Sequence, residues 1–273
     1  EVTCSEAQLA AVSSTLTDGV NDQYFQYQIE LTSSGTNTPT FSDSTITYVR
    51  NNPPEVQNVT ATQNSDGTVT VNYQVRDTDT STGATPYKVA IALQYCTANC
   101  STPGGETWAT ANTLSGDYGS NIEVEEEDYN SYTLTWTAKT DYPEHYNNTN
   151  FKVRIRADDG EAANNYGYAS SNVFELDTKD PTLGAHPVLV DASVSSNNIT
   201  LSCSDDTALQ MKVGLQPDLS DAEWESYNAS KTLTLIDNPE TVYVQFKDAK
   251  SNITTIQNST SADTPTAFMI QDT

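Results

Sequence analysis

The feature that most constrains the fold of this chain is a set of short runs in which apolar and polar side chains alternate. The clearest run extends from Gly67 to Val75, where Val69, Val71, Tyr73 and Val75 share one face. A period of two predicts a strand with one buried face. Turn-forming residues separate this run from the next ones, and this part of the chain never sustains a helical period. The pattern therefore predicts an all-β fold built from antiparallel β-sandwiches.

Two proline-containing segments divide the chain. Arg50-Asn-Asn-Pro-Pro54 and Asp177-Thr-Lys-Asp-Pro181 each place proline after a polar stretch, which favours an extended connector between folded units. We therefore expect tandem sandwiches with a partial sandwich in front of them. The expected pieces are terminal strands at 1–50, a first complete sandwich at 51–178, a second at 179–257 and a linker into a further module at 258–273.

The N-terminal piece holds two predicted strands, Tyr24–Leu31 and Thr45–Val49. Two strands bury no stable core by themselves in water, and an exposed apolar strand face invites pairing with another sheet. We therefore expect residues 20–49 to contact a neighbouring module of the same polypeptide or another copy of the chain. The sequence leaves both partners open.

Net charge excludes two classes of function. The chain of 273 residues has 12 Lys and Arg against 37 Asp and Glu, which gives a net charge of −25. Such a field repels nucleic acids and anionic membrane surfaces, and no run of about 18 apolar residues is present to cross a bilayer. The acidic run Glu123–Asp128 is expected to be a solvated strand edge or loop. A second, Asp218–Glu223, is expected to be a turn that leads to a core residue, Trp224.

The four cysteines point to an extracellular location rather than to redox chemistry. Cys96 and Cys100 bracket three turn-forming residues, and a hairpin tip of this kind brings two cysteines within disulfide reach. A metal site is the competing interpretation, but the spacing is not C-x₂-C and no second pair completes four ligands. We predict a disulfide between them. Cys203 is expected either as a small buried apolar residue or in a bond to Cys4.

The chain resembles tandem modules of large bacterial cell-surface proteins. Its middle part resembles a fibronectin type III or cadherin-like module through the segments 75–80, 153–165 and 176–181. Residues 183–257 resemble a bacterial Ig-like repeat through the segments 221–224 and 241–252. The resemblance implies a non-catalytic extracellular structural protein, a segment or subunit of a surface layer or filament, whose partners are further copies or neighbouring modules.

The alternative is an adhesin or a carbohydrate-binding stalk module that binds cell-surface glycan. Aromatic rings on strands and rims can stack on sugars. The candidates for such a platform are Tyr118, Tyr129, Tyr132, Tyr166 and Tyr168.

Acidic loop residues predict a calcium site in the middle module. Calcium binds six to eight hard oxygen atoms, which Asp, Glu and Asn side chains on loops supply. In the fibronectin-like strand order two acidic segments fall at the same pole of the sandwich, and related modules commonly bind calcium there. A solvated polar loop is the alternative. The predicted ligands are Asp77, Asp79, Asp158, Asp159, Glu161 and Asn164.

Catalytic chemistry has little support in the sequence. The chain has only two histidines, His145 and His186, and each lies among loop-forming residues. A Ser-His-Asp triad needs a nucleophile on a strained turn, but no G-x-S-x-G segment is present. We therefore assign no catalytic residue and expect no enzymatic activity.

Overall fold

The structure is a computed structural model that describes residues 51–78, 87–161, 164–191, 198–233, 240–256 and 269–270. The predicted N-terminal strands, Cys4 and Asp79 lie outside these ranges. Within them the chain is all-β, as predicted, and its sheets are antiparallel. The described ranges contain one helix, the four-residue α1 (Ala138–Asp141), and no helix long and apolar enough to cross a membrane.

The first sandwich extends from residue 55 to residue 177. Its strands are β1 (Glu55–Gln63), β2 (Val69–Arg76), β3 (Tyr87–Ala98), β4 (Thr107–Thr110), β5 (Leu114–Gly116), β6 (Gly119–Val124), β7 (Asn130–Trp136), β8 (Tyr146–Phe151), β9 (Val153–Asp158), β10 (Tyr166–Ser170) and β11 (Phe174–Asp177). One sheet has the order β1-β2-β7-β5. The other has the order β10-β9-β3-β4, with β6 also paired to β3, and β8 pairs with β11.

The alternating run that opened the sequence analysis forms β2, and its predicted face is buried. Val69, Val71, Tyr73 and Val75 are at most 1% exposed, and they pack in one core with residues of the facing sheet. Full burial of each such side chain stabilises the fold by about 1.5–3 kcal/mol. Trp136 occupies the middle of this core, where its ring stacks on that of Tyr95 at 5.0 Å.

The second sandwich follows directly and has a core of its own. Its strands are β12 (Thr182–Asp191), β13 (Asn198–Ser204), β14 (Gln210–Gly214), β15 (Glu225–Ser226), β16 (Ser230–Thr232), β17 (Glu240–Thr241), β18 (Tyr243–Lys247), β19 (Ile253–Ile256) and β20 (Met269–Ile270). One sheet has the order β12-β13-β16 and the other β15-β14-β18-β19, while β17 pairs with β20. Ile199, Leu201, Met211, Val244 and Phe246 are buried between the two larger sheets.

Trp224 does not lie in this core, so that expectation is wrong. The side chain is half-buried, with its ring 4.4 Å from Lys247 Nζ and 5.4 Å from Lys212 Nζ. The two lysines lie two ladder positions apart on neighbouring strands and share a sheet face. The ring therefore covers two lysine stems on the outer face of the sheet rather than filling the interior.

A half-buried carboxylate, that of Asp141, closes one end of the first core. The single turn of α1 returns the chain after β7, so that the Asp141 carboxylate accepts four hydrogen bonds. The donors are Asn112 N, Thr113 N, Thr113 Oγ1 and Trp136 Nε1, at 2.7 to 3.0 Å. Burial alone raises the pKa of Asp141, but the hydrogen bonds from Thr113, Asn112 and Trp136 bring it below its ordinary value. The ionised side chain therefore stabilises this end of the sandwich.

Replacing this carboxylate tests its contribution. We expect Asp141→Ala to lower the free energy of unfolding by about 2–4 kcal/mol, because several donors, including the indole N–H of Trp136, lose their acceptor. Asp128→Ala makes the same charge change at an exposed side chain and should change stability by less than about 0.5 kcal/mol. Urea denaturation followed by tryptophan fluorescence measures both. Equal stability of the two variants would contradict the prediction.

Candidate metal centre

The first sandwich ends at Asp177, whose backbone is held by a side chain of the same sandwich. Gln63 Nε2 donates to Asp177 O at 2.7 Å, and Asp177 N donates to Gln63 Oε1 at 2.8 Å. This pair of bonds satisfies the backbone N–H and C=O of Asp177 at the end of β11. Asn252 Nδ2, from the second sandwich, donates to the same carbonyl at 3.1 Å. The Asp177 side chain is thereby fixed at the boundary between the sandwiches, where it is 1% exposed.

Asp248 approaches from the turn between β18 and β19. Its Oδ1 accepts hydrogen bonds from Lys250 N and Asn252 N, both at 2.8 Å, and its Oδ2 accepts one from Asn252 Nδ2 at 2.7 Å. Ser251 completes the turn with a positive φ of 65°. This network holds a carboxylate that is only 2% exposed in one orientation.

Asp205 is the third acid, and it follows the end of β13. Thr207 N donates to Asp205 Oδ1 at 2.8 Å, and Thr207 Oγ1 lies 2.8 Å from the same oxygen and 3.3 Å from Asp177 Oδ2. The residue is half-buried, but its Oδ2 atom is buried without a hydrogen-bond partner. A buried carboxylate oxygen without a partner is costly, and a cation relieves that cost.

Together the three acids form a cluster that can hold a metal ion. One carboxylate oxygen from each of Asp177, Asp205 and Asp248 lies within 4.8 Å of those of the others. Burial, followed by the charges of Asp248 and Asp205, raises the pKa of Asp177 to about 6. Burial also raises the pKa of Asp248. The nearby Lys179 pairs with Asp206 at 2.9 Å. The negative charge of the cluster must therefore be neutralised by a bound proton or by a bound cation.

The acids predicted from sequence do not belong to this cluster. Asp158 Oδ1 accepts hydrogen bonds from Gly160 N at 3.0 Å and from Asn165 Nδ2 at 3.1 Å, so the side chain caps the turn between β9 and β10. Asp159 similarly accepts one from Glu161 N at 2.9 Å and one from Asn51 Nδ2 at 3.0 Å.

The remaining predicted ligands are distributed around the same region. Asp77 is 3% exposed, and its backbone N donates to Glu125 O. Asn164 has a positive φ of 54°, and its Nδ2 donates to Asn51 O at 3.4 Å. Among the described residues, the group of acids with oxygens close enough for one ion includes none of the predicted ligands. Asp79 lies outside the described ranges, so a calcium site at this pole stays a prediction.

Two of the described cysteines are paired with each other, and the third, Cys203, lies two residues before Asp205 of the acidic cluster. Cys96 and Cys100 form a disulfide across the tip that follows β3, with a Cα separation of 5.8 Å. Cys203 lies half-buried in β13 with no disulfide partner among the described residues, and burial, followed by the charge of Asp205, raises the pKa of its thiol to about 11. Because Cys4 is outside the described ranges, the proposed bond between these two residues stays untested.

Sequence comparisons place the chain in no known family. No protein-family model matches the chain, and the search of curated proteins gives no significant match. The resemblance to fibronectin type III and Ig-like modules therefore stays a prediction, and the function must be argued from the cluster itself.

The raised pKa of Asp177 predicts an unusual pH dependence in metal-free buffer. The unfolded chain ionises this group near 3.8 and the folded chain near 6, so its contribution to folding is lost as the pH rises through this range. The full loss above pH 6 is about 3 kcal/mol. We therefore expect Asp177→Asn to stabilise the protein at pH 7 and to have little effect at pH 4.

Thermal melts of both proteins with a chelator measure this difference. Asp128→Asn is the matched control, because it removes one exposed charge elsewhere. A change in melting temperature for Asp177→Asn that is the same at pH 4 and pH 7 would contradict the predicted linkage.

Proposed function

We propose that this chain is a non-catalytic structural segment of an extracellular surface layer or filament, in which a calcium ion holds two consecutive β-sandwiches together. The observation that carries the proposal is the position of the acidic cluster. Asp177 ends the first sandwich, whereas Asp205 and Asp248 lie on two turns of the second. A cation bound by all three cross-links the sandwiches at their boundary.

Direct contacts at the same boundary support a fixed junction. Ser251 Oγ donates to Ser65 O at 2.6 Å, which joins the β18–β19 turn to the β1–β2 turn. At Gly67, with a φ of 84°, an added Cβ would lie only 3.0 Å from Lys250 O. The two turns therefore pack closely beside the cluster, and the cation would act on a junction that is already aligned.

The ligand chemistry favours calcium among the common cations. The three side chains offer only carboxylate oxygens, which suit hard cations, whereas zinc and copper sites usually include histidine or cysteine. Magnesium keeps several water molecules in a strict octahedron, which two almost fully buried carboxylates oppose. Calcium accepts irregular oxygen shells, and the half-exposed Asp205 leaves a side for water and for ion entry.

A structural role outside the cell agrees with the other properties of the chain. The disulfide between Cys96 and Cys100 is of a kind that persists in oxidising compartments. Extracellular modules typically bind calcium with dissociation constants of about 0.1–1 mM. A junction with such an affinity would bind calcium when the free calcium concentration lies in the same range. A tandem array gains stiffness when each boundary is tied in this way, because the default between domains is relative motion.

Calcium-dependent melting of matched variants tests the proposed junction. Asp205→Asn removes one charged ligand, whereas Asp206→Asn removes the neighbouring exposed carboxylate that pairs with Lys179. Calcium at about ten to a hundred times its dissociation constant should stabilise the parent by about 1.4–2.7 kcal/mol over chelator. We expect Asp206→Asn to retain this gain and Asp205→Asn to lose most of it.

Small-angle scattering measures the accompanying change in shape. The parent and Asp206→Asn should become more uniformly extended in calcium, and Asp205→Asn should not. The same melting temperature of the parent in chelator and in calcium would overturn the calcium junction. If calcium raised the melting temperatures of Asp205→Asn and Asp206→Asn equally, the bound ion would lie elsewhere in the chain.

A further inference from the structure

Aromatic and arginine side chains interleave on the outer face of the sheet β10-β9-β3-β4. The Arg154 guanidinium lies 4.5 Å from the Trp108 ring centre and 4.7 Å from that of Tyr168. The Arg156 guanidinium lies 5.0 Å from the ring centre of Tyr166. We call these five side chains the arginine–aromatic ladder. Its two tyrosines are 44% and 47% exposed, so the ladder faces solvent.

The two guanidinium groups of the ladder have no carboxylate partner in the described part of the chain. The ion pairs found there use other cations, and the nearby Glu106 pairs with Lys152. Arg154 Nε donates to Gln94 Oε1 at 2.7 Å, while Arg156 Nε is buried without a hydrogen-bond partner. The rings cover the guanidinium faces and the Nε atoms are buried or already bonded, so the terminal N–H groups are the ones available for binding.

Those terminal N–H groups select an anion as the ligand. Guanidinium groups bind carboxylates through two parallel charge-assisted hydrogen bonds, and flanking aromatic rings reduce the competition from water. The ladder is distinctive in this chain, because acids outnumber Lys and Arg by 37 to 12. Carboxylates of another molecule would therefore complete the hydrogen bonding of the two guanidinium groups.

We propose that the ladder binds the acidic turn of a second copy of this chain. The turn consists of Glu125, Glu126, Glu127 and Asp128, all exposed, between β6 and β7. Its backbone is anchored by hydrogen bonds from Asp77 N to Glu125 O and from Arg76 to Glu127 O, so the side chains remain directed by a fixed loop. Arg154 and Arg156 lie about 7 Å apart along one strand, a spacing that the extended side chains of Glu125 and Glu127 can match.

This contact would build chains of molecules rather than closed dimers. The ladder and the acidic turn are different patches of one surface, so each copy offers one donor and one acceptor site. Such heterologous contacts propagate, as a filament or layer requires. This contact rests on the proposed structural function, and it would join copies of the chain into the filament or layer.

Sedimentation velocity of the full chain at fixed calcium concentration tests the contact. The variant Arg154→Gln/Arg156→Gln removes both ladder cations. Its control, Lys212→Gln/Lys247→Gln, removes the same charge and two other cation–π contacts, those of Trp224. We expect the ladder variant to weaken self-association at least about tenfold, as loss of charge-assisted bonds predicts, and the control to associate like the parent.

A charge exchange identifies the occupant. Arg154→Glu/Arg156→Glu and Glu125→Lys/Glu127→Lys should each associate poorly alone and should associate with each other when mixed. If the ladder variant does not fold, as judged by its thermal melt, Glu125→Gln/Glu127→Gln carries the same test from the acidic side, where it alters only exposed side chains.

Several outcomes would overturn the proposal. These are a parent that stays monomeric up to its solubility limit, a ladder variant that associates like the parent, and mixed charge-exchange variants that fail to associate. Arginine-dependent retention of a monomeric parent on immobilised hyaluronate would assign the ladder to a glycan instead. The calcium-dependent melting of Asp205→Asn and Asp206→Asn is independent of assembly, so failure here leaves the junction proposal intact.

Discussion

The structure depends at its centre on the burial of three carboxylates at the boundary between two sandwiches. Asp177, Asp205 and Asp248 bring like charges within 4.8 Å of one another, and two of them are almost completely removed from water. Charges in such a place require a proton or a cation. Under the proposed function, the state of this cluster would determine how firmly the two sandwiches are held together at their boundary.

The half-buried carboxylate of Asp141 is stabilised in a different way. Asp141 receives four hydrogen bonds from three residues, including the indole N–H of Trp136, and its pKa is lowered. Asp177 receives fewer hydrogen bonds and faces two other acids, and its pKa is raised. A carboxylate whose oxygens all accept hydrogen bonds can close a core without a bound ion. A bound ion adds the most stability where clustered carboxylates lack hydrogen-bond partners. This contrast singles out the boundary as a site in a chain with 37 acids.

Local patterns in the sequence predicted much of the fold but not the acidic cluster. The face of β2 and the disulfide at Cys96 and Cys100 follow from neighbouring residues, since period-two alternation and a short turn are local properties. Asp158 and Asp159, which the acidic density of their loop suggested as ligands, cap the turn after β9, and the calcium site predicted there stays a prediction. Asp177 is the last residue of β11, and Asp205 and Asp248 each follow a strand end, but sequence cannot show that these three positions from two sandwiches converge.

The arginine–aromatic ladder matters because the chain has few positively charged side chains, 12 Lys and Arg in all. Two copies with a net charge of −25 repel each other over distances of the order of the Debye length, about 8–10 Å at physiological salt. Only a contact that matches acids to the few unpaired cations overcomes this repulsion, so orientations that juxtapose acidic faces are disfavoured. In the proposed assembly, general repulsion combined with one complementary patch would suppress random aggregation and favour one relative orientation of the copies. The acidic excess that argues against nucleic-acid partners would, in the proposed assembly, also specify how copies of this chain meet.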